Sequence, residues 1–149
     1  MKLSTRGRYG LRAIVELAGR RHSGPASLSA IAAEQDISEA YLEQLMRSLK
    51  SAGIVNTVRG KSGGYALTRD PKDITVFEIL SALEGSTSIA GCVGKDAEIC
   101  ENACFCGARP LFLTLQNRID TVLKETTLQD LSEDYRGIKE RNENGKSLS

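Results

Sequence analysis

No stretch of the 149 residues approaches the roughly 18–20 consecutive apolar residues that a membrane span requires. The chain starts MKLSTRGRYGLR, in which basic residues are not followed by an apolar segment, so it is not read as a secretory signal. A cytoplasmic location is expected, and with it reduced thiols rather than a disulfide framework. Histidine is nearly absent. The one residue, His22, ends the first helical pattern beside Arg20 and Arg21 and reads as a polar helix-end side chain, not a ligand. There is no C-x-x-C pair, which argues against a zinc ribbon and against a thiol oxidoreductase of that type. A phosphate-binding loop is also incomplete. Gly60-Lys61-Ser62 is present, but the G-x-x-x-x-G-K-[ST] pattern needs a glycine where Val55 stands. It also needs a helix directly afterwards, whereas Gly63-Gly64-Tyr65-Ala66-Leu67 opens a strand. An enzyme is therefore not expected, whether nucleotide hydrolase or thiol oxidoreductase. No internal repeat is evident.

Net charge is also small, at +1, yet it is unevenly placed. Residues 1–69 hold 11 Lys+Arg against 5 Asp+Glu, a balance of +6, and residues 70–149 hold 9 against 14, a balance of −5. This asymmetry fits a chain whose first half meets a polyanion.

What is present is mostly helical pattern. Residues 4–21 place Leu11, Ile14, Val15 and Ala18 at helical spacing behind a Ser4 or Thr5 cap. A short helix over 27–34 turns Leu28, Ile31 and Ala32 inward. Ser38 caps a third helix over 39–52, with Leu42, Leu45, Met46 and Leu49 on one face and Gly53 as a left-handed stop. Two short helices joined by about four residues read as a helix-turn-helix. The β-type runs 54–59 and 65–68 around the loop 60–64 make a hairpin, and a hairpin after a helix-turn-helix is a wing. The expected fold is mainly α with a small β-hairpin wing: a winged helix-turn-helix DNA-binding domain plus a long dimerisation helix. Thr75-x-x-Glu78 forms a capping box for a helix stopped by Gly85. Residues 86–108 have no period, which in a loop of that length signals function or disorder. Residues 109–124 return to helix, with a stripe of Phe112, Leu115, Ile119, Val122 and Leu123. The organisation expected is a DNA-binding domain over 1–85, with the helix-turn-helix at 27–52 and the wing at 54–69. A cysteine loop at 86–108, a dimerisation helix with a short turn at 109–131, and a flexible tail at 132–149 complete it.

On the third helix, side chains near the start face the major groove in this architecture. Ser38, Tyr41, Glu43 and Gln44 lie there: Glu accepts from cytosine N4, and Gln pairs with adenine. Arg47 and Lys50 suit phosphates. In the wing, Arg59 and Lys61 supply charge, while Gly60, Ser62 and Gly63 let the backbone approach.

All four cysteines fall in the loop, as Cys92, Cys100, Cys104 and Cys106, spaced C-x7-C-x3-C-x-C. This is not the bacterial ferredoxin run. Three chemistries suit four clustered thiols: an iron–sulfur cluster, a four-thiolate zinc, or a thiol redox switch.

The start MKLSTRGRYGLRAIVELA, the segment ISEAYLEQLMRSLKSAGIVNTVRGKSGGYALTRDPKDITVFEIL and the late cysteine loop together resemble the IscR/NsrR/CymR-type family of winged-helix transcription regulators. Within it, the likeness is strongest to the iron–sulfur (IscR-like) branch, and it spans residues 1–131. The resemblance implies a homodimeric regulator, in the main a repressor, paired through the helix 110–124 on a pseudo-palindromic double-stranded operator. It implies that Glu43, Gln44 and Arg59 take part in sequence reading. It also implies an iron–sulfur cluster, 2Fe-2S ahead of 4Fe-4S with zinc as the alternative, held by Cys92, Cys100 and Cys106. Cys106 matches because Gly107-Ala108-Arg109-Pro110-Leu111 follows it. Where IscR-like members carry a histidine ligand this chain has Arg109, and where nitric-oxide sensors borrow an acid from the partner's first helix it has Arg8. The fourth ligand is therefore open, with Cys104 the candidate. By analogy the regulated genes concern iron–sulfur assembly or cysteine supply. The cluster-free alternative is a CymR-like repressor of cysteine metabolism responding to thiol oxidation or a protein partner.

Overall fold

The computed structural model describes residues 2–95, 97–98 and 100–147. Helix α1 (Thr5–Gly19) starts where the Ser4 hydroxyl accepts a bond from the Gly7 N–H at 3.1 Å. Its inward face is wider than the expected stripe. Ala13, Ile14, Leu17 and Ala18 are buried while Leu11 and Val15 are half-buried, because α1 packs against several helices at once. Helix α2 (Leu28–Gln35) is capped by Ser27 and ends at Asp36, a non-glycine residue in the left-handed region (φ 52°). Helix α3 (Glu39–Ser51) is capped by Ser38, and its Leu42, Leu45, Met46 and Leu49 are all 0 % exposed. These four form the centre of the core together with Ile14, Ile31 and Ile54.

Strands β1 (Val55–Val58) and β2 (Gly64–Leu67) pair antiparallel, with Val55 opposite Leu67. Ala26 adds a short third rung: it exchanges backbone hydrogen bonds with Tyr65 at 2.8 and 3.0 Å. The wing is thereby fastened to the entry of α2 as well as to the end of α3. Gly64 sits at that junction with φ 153°, where an added Cβ would overlap the Ala26 carbonyl oxygen. Helix α4 (Val76–Glu84) has the complete Thr75–Glu78 capping box, and Arg69 pairs with Glu78 at 2.9 Å.

Beyond the cysteine loop lie α5 (Arg109–Glu125) and α6 (Leu128–Ser147). Their link is knitted to the start of α4: Val76 N–H donates to the Thr126 carbonyl at 2.9 Å, and Leu128 N–H to that of Ile74 at 2.8 Å. Leu128 is fully buried there. The flexible tail expected from residue 132 is corrected by this helix. It runs to Ser147 and docks on α1, where the Tyr135 hydroxyl donates to Glu16 Oε2 at 2.7 Å. Its polar sequence hides the contact, because Leu128, Leu131, Tyr135 and Ile138 are few among many charged residues and the bonded partner of Tyr135 is a distant carboxylate. Residues 148 and 149 lie outside the described residues.

Candidate nucleic-acid interface and cysteine loop

Helix α3 turns its apolar side wholly into the core, which leaves Glu39, Glu43, Gln44, Arg47 and Lys50 facing out. The expected reading residues are not equally free. Ser38 Oγ accepts the Tyr41 N–H at 3.2 Å, so that hydroxyl oxygen closes the helix end. The half-buried Tyr41 ring stands edge-on to Tyr9 with centroids 6.3 Å apart, which ties it to α1. Glu43 and Arg47 pair along the helix at 3.2 Å, an exposed i,i+4 pair that costs little to open. Lys50 Nζ donates to Thr57 Oγ1 at 3.1 Å, bracing the end of α3 against β1. Among the described residues the Gln44 side chain makes no hydrogen bond. Arg6, which no sequence pattern singles out, is half-buried; its Nε donates to the Leu83 carbonyl at 2.9 Å and its Nη2 to Ser48 Oγ. It holds the start of α1 against α3 and α4.

The glycine-rich turn is the tip of the hairpin, with Arg59, Gly60, Lys61 and Ser62 exposed. A Cβ at Gly63 would overlap the Val58 carbonyl oxygen, so the turn closes only around glycine. Arg59 and Lys61 have no ion-pair partner among the described residues, and no helix follows to orient amides at a nucleotide phosphate.

A buried charge centre lies where α6 meets α1. The Glu16 side chain is 3 % exposed and receives Arg20 Nε and Tyr135 Oη, each at 2.7 Å, and Lys139 Nζ at 3.4 Å. Burial pushes the Glu16 carboxyl up, but the bonds from Tyr135 and Arg20 and the charge of Lys139 outweigh it and hold it below the usual carboxylate range. Lys139 also pairs with Glu34 of α2 at 2.7 Å. Burial works against its charge, yet Glu34, Tyr135 and Glu16 together raise its pKa above the ordinary lysine value. The helix after α5 is thus bonded both to α1 and to the first helix of the helix-turn-helix.

In the loop, Cys92, Cys100 and Cys106 are half-buried, Cys104 is exposed, and all four are free thiols. Among the described residues no three Cys, His, Asp or Glu side chains gather into a metal-holding group. The donor set itself suits a soft metal centre. Arg109, three residues after Cys106, has a buried Nε with no hydrogen-bond partner. A guanidinium is not a metal ligand in proteins, but it can donate to thiolate or cluster sulfur, so the residue types present suit an anionic iron–sulfur group. Gln116 is the buried polar residue that the α5 stripe conceals: it bonds Thr87 and Ile89 at the base of the loop. A polar residue at a position facing the apolar stripe is the available signal.

The Rrf2 family model, described as an iron-dependent transcriptional regulator, matches residues 3–134. The chain is 42 % identical over 132 residues to the HTH-type transcriptional regulator CymR of Bacillus subtilis (strain 168), covering 89 % of this chain and 90 % of that one. It is 37 % identical over 131 residues to the HTH-type transcriptional regulator IscR of Xenorhabdus nematophila, covering 88 % and 79 %. The solved structure of CymR (YrzC), the global cysteine regulator of B. subtilis, superimposes with a TM-score of 0.78 at 40 % identity, covering 89 % of this chain and 97 % of that one. These relatives are regulators of transcription and not enzymes. With its winged-helix fold and a family match over nearly its whole length, the chain belongs to the Rrf2 family of transcriptional regulators.

Proposed function

We propose that this chain is a cytoplasmic, homodimeric repressor whose hold on a pseudo-palindromic operator responds to iron–sulfur status in the loop 86–108. The observation that carries the reading is the placement of four free thiols, three of them half-buried, in the loop that leads into α5, with the unpartnered Nε of Arg109 three residues after the last of them. Cys92, Cys100 and Cys106 would hold the cluster, with Cys104 as fourth ligand and 2Fe-2S ahead of 4Fe-4S. A bound cluster supplies a group whose presence and oxidation state change with the cell's iron and redox supply.

On DNA, α3 lies in the major groove, where Glu43 and Gln44 face base edges and Arg47 and Lys50 face phosphates. Engaging DNA opens the Glu43–Arg47 pair. Arg59 and Lys61 reach the neighbouring groove from the wing tip. Two copies pair through the outward side of α5, where Val122 is 62 % and Leu111 58 % exposed. A change in the loop reaches the helix-turn-helix through packed elements: α5, its link to the start of α4, and the α6 contact with Glu16 and Glu34.

The open arrangement of the thiols favours one second reading, a cluster-free repressor of cysteine metabolism switched by thiol oxidation or a protein partner. Iron, sulfide and zinc analysis with a visible spectrum on protein purified without oxygen separates the two. Sulfur-to-iron charge-transfer bands with matching iron and sulfide support the sensor. A colourless, iron-free protein that stays so after reconstitution removes it.

A further inference from the structure

One side chain holds the base of the cysteine loop. Gln116 is 3 % exposed and spends its amide on three partners. Its Oε1 accepts the Ile89 N–H at 2.8 Å, and its Nε2 donates to the Thr87 carbonyl at 3.3 Å and to Asp120 Oδ1 at 2.8 Å. The chain beyond Ile89 then folds back on itself. Val93 is buried and donates its N–H to the Ala90 carbonyl at 3.2 Å, and Glu98 donates to that of Gly91 at 3.1 Å. Cys92 sits inside this anchored turn. The other half is built differently. Residues 100–106 are held by turn bonds from Ala103 to Cys100 at 2.9 Å and from Phe105 to Asn102 at 3.0 Å, with the Phe105 side chain standing out at 92 % exposure. That half rejoins the helix where the Arg109 N–H donates to the Cys106 carbonyl at 3.3 Å.

Arg109 and Gln116 are both on α5, two turns and about 10 Å apart, and a seven-residue spacing puts them on one face. The loop is therefore tied at its two ends to a single helix face. It is pinned by a buried amide at one end and by the helix's own first turn at the other.

We propose that Gln116 is the positioning residue of the cysteine loop: its amide fixes Cys92 to α5, and the segment carrying Cys100, Cys104 and Cys106 closes onto that fixed thiol. The sensing role of this closure rests on the function proposed above; the fixing of Cys92 is measurable without any metal. Reduced, metal-free protein is pulsed with iodoacetamide, and the alkylation rate at each cysteine is read by peptide mass spectrometry. Gln116→Met removes all three bonds, and the rate is expected to rise roughly tenfold at Cys92 and under about twofold at Cys106. Gln116→Glu combined with Asp120→Asn, which keeps an acceptor for Ile89, loses the donor to Thr87 and avoids two facing carboxylates, is expected in between, and it carries the test should the Met variant fail to fold. Asp120→Asn, which preserves the loop contacts, is expected to match the unaltered protein. After anaerobic reconstitution Gln116→Met is expected to retain less iron and sulfide at unchanged helical content. No rise at Cys92, or an equal rise at all four cysteines, overturns the proposal. If the unaltered protein takes up no iron, the iron–sulfur reading fails and the alkylation pattern still decides the clamp.

Discussion

Helices α3 and α5 have similar amphipathic patterns and opposite fates. The apolar face of α3 is finished within the chain, with Leu42, Leu45, Met46 and Leu49 all sealed in the core. Among the described residues of α5 only a glutamine is buried, and its apolar residues are half-buried or exposed. Burying an apolar face is the main reward for forming a helix in water. On the function proposed above, a second copy of the chain completes the half-wet stripe of α5, and the same periodicity serves two ends, a core in one case and a mating face in the other. Sequence spacing alone does not separate them.

If α3 is core, Leu45→Ala costs about 2–5 kcal/mol of stability, read from a denaturant melt, because it opens a cavity that the packed helices only partly fill. A cost near zero would place α3 outside the core. If α5 is a mating face, Leu111→Asp with Val122→Asp leaves the single chain folded, since both side chains already meet water. Sedimentation is then expected to show monomers, and operator affinity to fall about a hundredfold, near 2.7 kcal/mol. A dimer that persists would move the interface elsewhere.

The α6 contact sharpens the comparison, since it ties the helix beyond α5 back to the DNA-binding half. Tyr135→Phe removes a short bond to a buried carboxylate and is expected to cost about 1.5–3 kcal/mol. The acid side of the stability curve should change with it. Glu16 is held below its ordinary value, so its contribution is present above about pH 4.3 and is lost as pH falls through the lower folded value. The variant should lose less over that acid range than the unaltered protein. A parallel shift at every pH would mean that the bond does not set the ionisation of Glu16. The smallest effects belong to single contacts on DNA: Arg59→Ala should weaken operator binding and flatten its salt dependence by about one contact, and unchanged affinity across a salt titration would remove Arg59 from the interface. Glu43→Ala should instead relax sequence preference more than total affinity, and equal losses on specific and random DNA would contradict that.

Legibility follows the same division. The α3 core, its Ser38 cap, the Gly53 stop and the glycine-built wing are all readable, because each depends on residues within a few positions of one another. Tyr41 reads as facing DNA, yet its ring is half-buried against Tyr9, a neighbour 32 positions earlier. The Ala26 rung beside Tyr65 and the Tyr135 bond to Glu16 span still longer separations, and nothing in local pattern announces them. Helix α6 escapes a sequence reading for this reason: beyond the buried Leu128, its polar ties are one phenol and one ammonium reaching a carboxylate 119 and 123 residues away. Gln116 escapes it too, because a polar residue within a striped helix is taken for its wet side.

The bare Cα of Gly64, pressed against the Ala26 carbonyl, offers geneticists a narrow tool. One methyl group there, as in Gly64→Ala, pries β2 from the entry of α2 while leaving the α5 face, the α6 contact and the cysteine loop untouched. On the function proposed above, such an allele uncouples reading the genome from sensing the cell, and its bearer reports on the second with the first switched off.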